Sequence, residues 1–225
     1  QRAIFAFGNT GSKVNTRNLV GTNGVVASDA SGAGTARSNL AAATYGGDKA
    51  IFAFGDPAAS GYTAISNLVS NTGVVGTDVS AVGDAKGAPC AVTFGTSGQA
   101  LFAYGVTSEN VNTRIYAFGD GAQFYAISNL VNTSGVIGSD VSAVGTARTH
   151  TAGARYGSGG TALFAFGNTS GDNLINTRNL VNNVGVVASD ATGAGTARYS
   201  VQAAEYGGDK AIFGFGDSGS KTGVT

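Results

Sequence analysis

One segment recurs six times, and that recurrence limits the fold more than any other feature of the chain. RAIFAFG at Arg2 to Gly8 returns as KAIFAFG (Lys49 to Gly55), QALFAYG (Gln99 to Gly105), RIYAFG (Arg114 to Gly119), TALFAFG (Thr161 to Gly167) and KAIFGFG (Lys210 to Gly216). The Ile or Leu that opens each copy stands at 4, 51, 101, 115, 163 and 212, so the spacings are 47, 50, 14, 48 and 49. Self-similarity at a fixed period of this size is the signature of a repeat architecture.

Three further pieces recur between the copies: NLV at Asn18, Asn67, Asn129 and Asn179; GV(V/I)-x-(S/T)-D ending at Asp29, Asp78, Asp140 and Asp190; and G-(T/D)-A-(R/K) ending at Arg37, Lys86, Arg148 and Arg198. An Ala-rich stretch follows the last, closing at Tyr45, Phe94, Tyr156 and Tyr206. Each piece is short, apolar or β-branched and bounded by Gly, Asn, Asp, Ser or Thr, which reads as strands. The YGGDK and YGSGGT turns make the Ala-rich and aromatic strands an antiparallel hairpin. The unbroken apolar run in IFAFG suits an innermost strand covered on both faces, with Ile4 and Ala6 on one side and Phe5 and Phe7 on the other.

Four antiparallel strands every 47 to 50 residues predict an all-β protein, a β-propeller of four-stranded blades, with an open β-repeat array or solenoid as the alternative. The order of a small residue and Arg, an Ala-rich strand, a turn and an aromatic strand ending in Gly resembles kelch repeats, without their paired Gly-Gly or any Trp. SNLVSNTGVVGTD, GTARSNLAAATYGGDKAIFAFG and GTARYSVQAAEYGGDKAIFGFG resemble, over nearly the whole chain, the tandem repeats of predicted tailed-phage proteins. That resemblance implies a non-enzymatic virion component, tail-associated or receptor-contacting, located in the virion or outside the cell. Its implied partners are other copies of itself or other virion proteins.

The 14-residue interval is the irregularity. In ENVNTR (Glu109 to Arg114) the end matches VNTR and INTR, which elsewhere run into NLV, yet here IYAFG follows. The expected organisation is a single repeat domain over 1–225 with pseudo-repeat halves 1–113 and 114–225, either a natural double module or part of a longer array. Six aromatic segments face four NLV and four GVV segments, so two aromatic strands should lack outer partners. These two edges, near Leu101 to Gly105 and Ile212 to Gly216, are expected to be completed by another copy or by chain segments absent from this sequence, with the terminal strand closing against Ala3 to Phe7.

Composition removes several functions. Lys+Arg and Asp+Glu are both 13, giving zero net charge, and charged residues are 12% of the chain, so neither nucleic acid nor an anionic membrane surface is an expected partner. No apolar stretch is long enough to insert in a membrane as a helix. One Cys and one His leave no disulfide, no zinc cage and no triad, and no metal or cofactor is expected. With no Met and Gln1 first, the sequence is not expected to begin at its own start codon.

Of the polar residues, the Asp and Arg or Lys eight positions apart in every unit could form a ring of carboxylates for calcium or sugar. A turn Asp with an Arg tying neighbouring units together is preferred, because a feature of every unit is what the fold needs of every unit. His150, where other units carry Asn39, Gly87 or Ser200 around the same place, reads as a surface residue, and Cys90 as a small core residue. The SGAGTAR and TGAGTAR runs precede no helix and so are not phosphate loops. A hydrolase would need a carboxylate pair, and the two glutamates, Glu109 and Glu205, suggest none; no catalytic residue is expected. The loops after IFAFG vary most, and there Tyr62, Phe124 and Tyr125 are candidate stacking surfaces for a cell-surface glycan, the basis of an alternative lectin reading, as against rings folded onto the sheet.

Overall fold

The computed structural model describes residues 3–57, 61–80, 83–108, 122–124, 126–141 and 144–219. Among these residues every regular element is a strand and every ladder is antiparallel. The first sheet contains β1 (Ala3–Asn9), β2 (Lys13–Val20) and β3 (Ala30–Ser31). Short β4 (Arg37–Ser38) leads to the second sheet, β5 (Ala41–Tyr45), β6 (Lys49–Ala53), β8 (Ile65–Val69) and β9 (Val79–Ser80), and β4 pairs with β7 (Asp56–Pro57). The third holds β10 (Cys90–Phe94), β11 (Gln99–Ala103) and β14 (Ser128–Val131); β12 (Val106–Ser108) and β13 (Ala122–Phe124) pair beside it. The fourth is β15 (Ala152–Tyr156), β16 (Thr161–Ala165), β17 (Thr177–Val181) and β18 (Ala191–Thr192), and the fifth β19 (Gln202–Tyr206) with β20 (Lys210–Gly214).

Register repeats as faithfully as sequence. The aromatic residue opposite the NLV asparagine is Phe5 against Asn18, Phe52 against Asn67, Phe102 against Asn129 and Phe164 against Asn179. Successive sheets then pack face to face, and each junction holds its own apolar cluster. Ile4, Ala6 and Phe7 meet Phe52, Val69 and Val75; Ile51, Ala53 and Phe54 meet Phe102, Val131 and Ile137; Leu101 and Tyr104 meet Phe164 and Val181; Phe166 meets Phe213. Ring pairs mark all four junctions with centroids 5.3–6.0 Å apart, edge-on at the first three and tilted between Phe166 and Phe213. The array does not close among the described residues: no ladder joins β1 to β20, and Phe5 and Phe215 are both exposed.

Four expectations need correction. Phe7 lies on the same side as Ile4 and Ala6, because Phe7, Phe54, Tyr104, Phe166 and Phe215 all take positive φ of 62–65°, which breaks the two-residue alternation. The residue after each is a glycine with φ above 100°, and at three of them the N–H reaches the next unit's backbone: Gly55 N to Lys86 O at 2.9 Å, Gly105 N to Arg148 O at 3.2 Å and Gly167 N to Arg198 O at 3.0 Å. Second, in the second, third and fourth sheets the edge strand is the Ala-rich one and the aromatic strand lies inside it, whereas in the first sheet the aromatic strand β1 is itself the edge. Third, GV(V/I) forms no strand: it folds back on NLV through a single bridge, such as Val69 to Val75, after a tight turn at Gly73. The outer strand is the pair of residues after the Asp.

Fourth, Leu101 to Gly105 is not an open edge. Strand β11 pairs with β10 on one side and β14 on the other, Leu101 standing opposite Leu130. The third sheet thus takes strands from both sides of the 113/114 boundary, and the extra aromatic segment lies between β12 and β13. Arg114 to Gly119 and the boundary itself fall outside the described residues.

Candidate functional site

The repeated polar residues converge in each sheet because the NLV strand and the turn after it bring positions eleven apart together. Asn67 Nδ2 donates to Asp78 Oδ1 at 2.9 Å, Asn129 to Asp140 at 2.8 Å, Asn179 to Asp190 at 2.8 Å and Asn18 to Asp29 at 2.8 Å. The G-(T/D)-A-(R/K) segment then closes on the Asp. Thr35 donates its N–H (3.0 Å) and hydroxyl (2.7 Å) to Asp78, and Thr146 does the same to Asp190 at 3.0 and 2.6 Å. Burial alone would raise these two carboxyls; the bonds from Thr35 and Asn67, or Thr146 and Asn179, with the nearby arginine, outweigh it and hold both below the usual range.

The cation of the same segment is inserted between two sheets. Arg37 lies 4.2 Å over the Phe7 ring, Lys86 4.7 Å over Phe54, Arg148 4.2 Å over Tyr104 and Arg198 4.3 Å over Phe166, each on the aromatic residue of the preceding sheet. Arg37 Nε also donates to Phe54 O at 2.8 Å, Lys86 to Asn129 Oδ1 and Arg148 to Asn179 Oδ1. Desolvation pushes Arg37 down to about 10, still a cation at neutral pH. The Asp and Arg therefore perform the structural task expected of them. Sequence reasoning missed the asparagine, whose constant spacing of eleven from the Asp was the available signal.

One loop aromatic, Phe124, is on a short ladder, and a second, Tyr62, packs on the glycine bridged to it. Tyr62 is half-buried with its ring flat on Gly87, where any Cβ would run into it. Gly87 bridges Val106, and Val106 pairs with Phe124, also half-buried. Tyr62 and Phe124 are thus brought to the same edge, with Tyr62 partly used in covering backbone; its hydroxyl is held above its ordinary pKa by desolvation and the nearby Asp56. Tyr125 lies outside the described residues, as does Glu109.

Cys90 and His150 take the roles expected of them. Cys90 is buried between the third and fourth sheets, and desolvation pushes its thiol up to about 12, so it stays protonated. His150 is exposed at φ 53°, a backbone position it shares with Asn39, Ala88 and Ser200, and its ring stands edge-on to Tyr199. The surface of the described residues carries three depressions, one of about 250 Å³ along the first sheet past Phe5, Thr16, Asn18 and Asp29. A cavity of about 140 Å³ is lined mainly by apolar side chains including Tyr104, Leu130 and Val184. An open groove of about 230 Å³ follows the edges of the Ala-rich strands past Thr44, Thr93, Arg155 and Glu205. Among the described residues no cluster of three His, Cys, Asp or Glu side chains forms a metal-ligand set. No protein-family model matches the chain, and no curated protein matches it.

Proposed function

We propose that the protein is a non-enzymatic structural and binding protein of a phage virion, tail-associated or receptor-contacting, whose stacked sheets are propeller-type blades. The observation that carries this reading is that the repeated Asp, Asn and Arg or Lys side chains bond to one another and to backbone. The chemistry-bearing residues of the repeat are engaged in assembling a rigid array, and the resemblance of those repeats to tailed-phage sequences supplies the setting. In this reading the partners are further copies or other virion proteins, and no cofactor takes part. Antibody raised against the chain should label purified virions; label found only in the soluble fraction of the lysate defeats the reading.

A lectin-like role is the second reading, favoured by Tyr62 packing on Gly87, whose bridge partner Val106 pairs with Phe124. Aromatic rings on a rigid edge offer apolar sugar faces a stacking surface. Glycan-array binding that Tyr62→Ala, Phe124→Ala and Tyr125→Ala abolish would establish it, and an array without signal for the wild-type chain would end it.

A further inference from the structure

The two ends of the array are the two halves of a junction that the protein builds repeatedly inside itself. At the first three internal junctions the leading face offers Ile or Leu, the positive-φ aromatic residue and, in the second and third sheets, the Tyr or Phe that closes the Ala-rich strand. The receiving face offers Phe and two aliphatics from the NLV and GV(V/I) segments. Ile51, Phe54 and Tyr45 thus bury Phe102, Val131 and Ile137. On the fifth sheet the leading set is Ile212, Phe215 and Tyr206, exposed by 45, 58 and 52%. On the first sheet the receiving set is Phe5 and Val26, exposed by 64 and 54%, with half-buried Val20.

The glycines carry the same message. Gly135 and Gly185 sit under the Leu and Tyr or Phe of the sheet before them, so that a Cβ at 135 would lie 2.7 Å from Leu68 and 2.9 Å from Tyr45, and one at 185 would lie 2.8 Å from Phe94. Gly73 lies likewise under Leu19. Gly24, the first member of this series, has nothing within 4 Å of that point. Its backbone conformation, φ 78°, matches the other three at 82–87°. Gly24 keeps the conformation of the covered glycines on a face that is open.

We propose that a second copy of this chain occupies it: the fifth sheet of one copy docks head-to-tail on the first sheet of the next, Phe215 meeting Phe5 and Tyr206 covering Gly24. This deepens the self-association within the virion reading but rests on the fold alone. Such a contact joins two different surfaces, so it propagates into a ring or a filament according to its angle. The first sheet has no Ala-rich strand and the fifth no NLV strand among the described residues. The shared face is therefore smaller than an internal junction, and association is reversible with concentration.

Capped variants test the direction of the contact. Phe5→Glu blocks the receiving face and Phe215→Glu the leading face; both side chains are more than half exposed, so circular dichroism should report unchanged folding. By light scattering, wild-type chain should grow in mass with concentration, while each variant alone stays at 22.1 kDa. An equimolar mixture of the two should give a species of twice that mass and nothing larger. A wild-type chain that remains at 22.1 kDa, a single variant that still associates, or a mixture that stays monomeric or passes beyond the dimer overturns the proposal. Virion labelling is read independently, so either reading can fail without the other.

Discussion

The interior and terminal sheets contain nearly the same strand in opposite surroundings. KAIFAFG in β6 and KAIFGFG in β20 differ at one position, yet Ile51 and Phe54 are fully buried while Ile212 and Phe215 are exposed. Burial here belongs to the neighbour, not to the strand. Stability of such an array is a sum of what each sheet contributes alone and what each junction adds, so identical substitutions should differ according to how many junctions they touch.

The largest contrast is expected from the strand phenylalanines. Phe102→Ala empties a fully enclosed site and should cost about 3–5 kcal/mol, whereas Phe5→Ala, mostly exposed, should stay within about 0.5 kcal/mol. Urea denaturation of both variants measures the difference, and equal costs would contradict it. Next come the inserted cations. Arg37→Met removes the bond to Phe54 O and the stacking on Phe7 and should cost about 2–3 kcal/mol. Arg198 keeps its ring contact, and among the described residues its guanidinium bonds Phe213 O at 3.5 Å, so Arg198→Met should cost about 1 kcal/mol; thermal melts of the pair decide.

Acid should act on the interior as well. Asp78 and Asp190 have folded values depressed below 3.8, so the stability they contribute is complete above the unfolded carboxylate range, near pH 4, and is lost as pH falls through the folded values. Asp78→Asn and Asp190→Asn should flatten the fall of the urea midpoint below about pH 4, and an unchanged slope would remove these carboxylates from the account. The smallest effect expected is that of Thr44→Val, which breaks the exposed Thr44–Thr93 hydroxyl contact between two Ala-rich strands for about 0.5 kcal/mol.

Much of this architecture was legible before any coordinates. The hairpins, the strand order from the Ala-rich to the NLV segment, and the Asp and Arg as structural ties all follow from the period and the turn residues. The misreadings have physical causes. Leu101 to Gly105 is expected from the sequence to lack an outer partner, but its pairing with Leu130 across the intervening residues is a tertiary choice that spacing does not encode. Positive φ at a phenylalanine is sterically unfavourable and leaves no mark in the sequence; the glycine after it is the nearest clue. Tyr62 was recognisable as a loop aromatic, while its use in covering Gly87 depends on a segment from the next unit.

The central claim is that each sheet is stabilised by its neighbours, with one face exposed on the first sheet and one on the fifth. Native-state hydrogen exchange tests it most directly, at a concentration where the chain is monomeric. The account predicts slowest exchange for the β6, β11 and β16 amides, all between two paired strands in sheets covered on both faces, and faster exchange in β1 and β20. Equal protection across all five strands would contradict it.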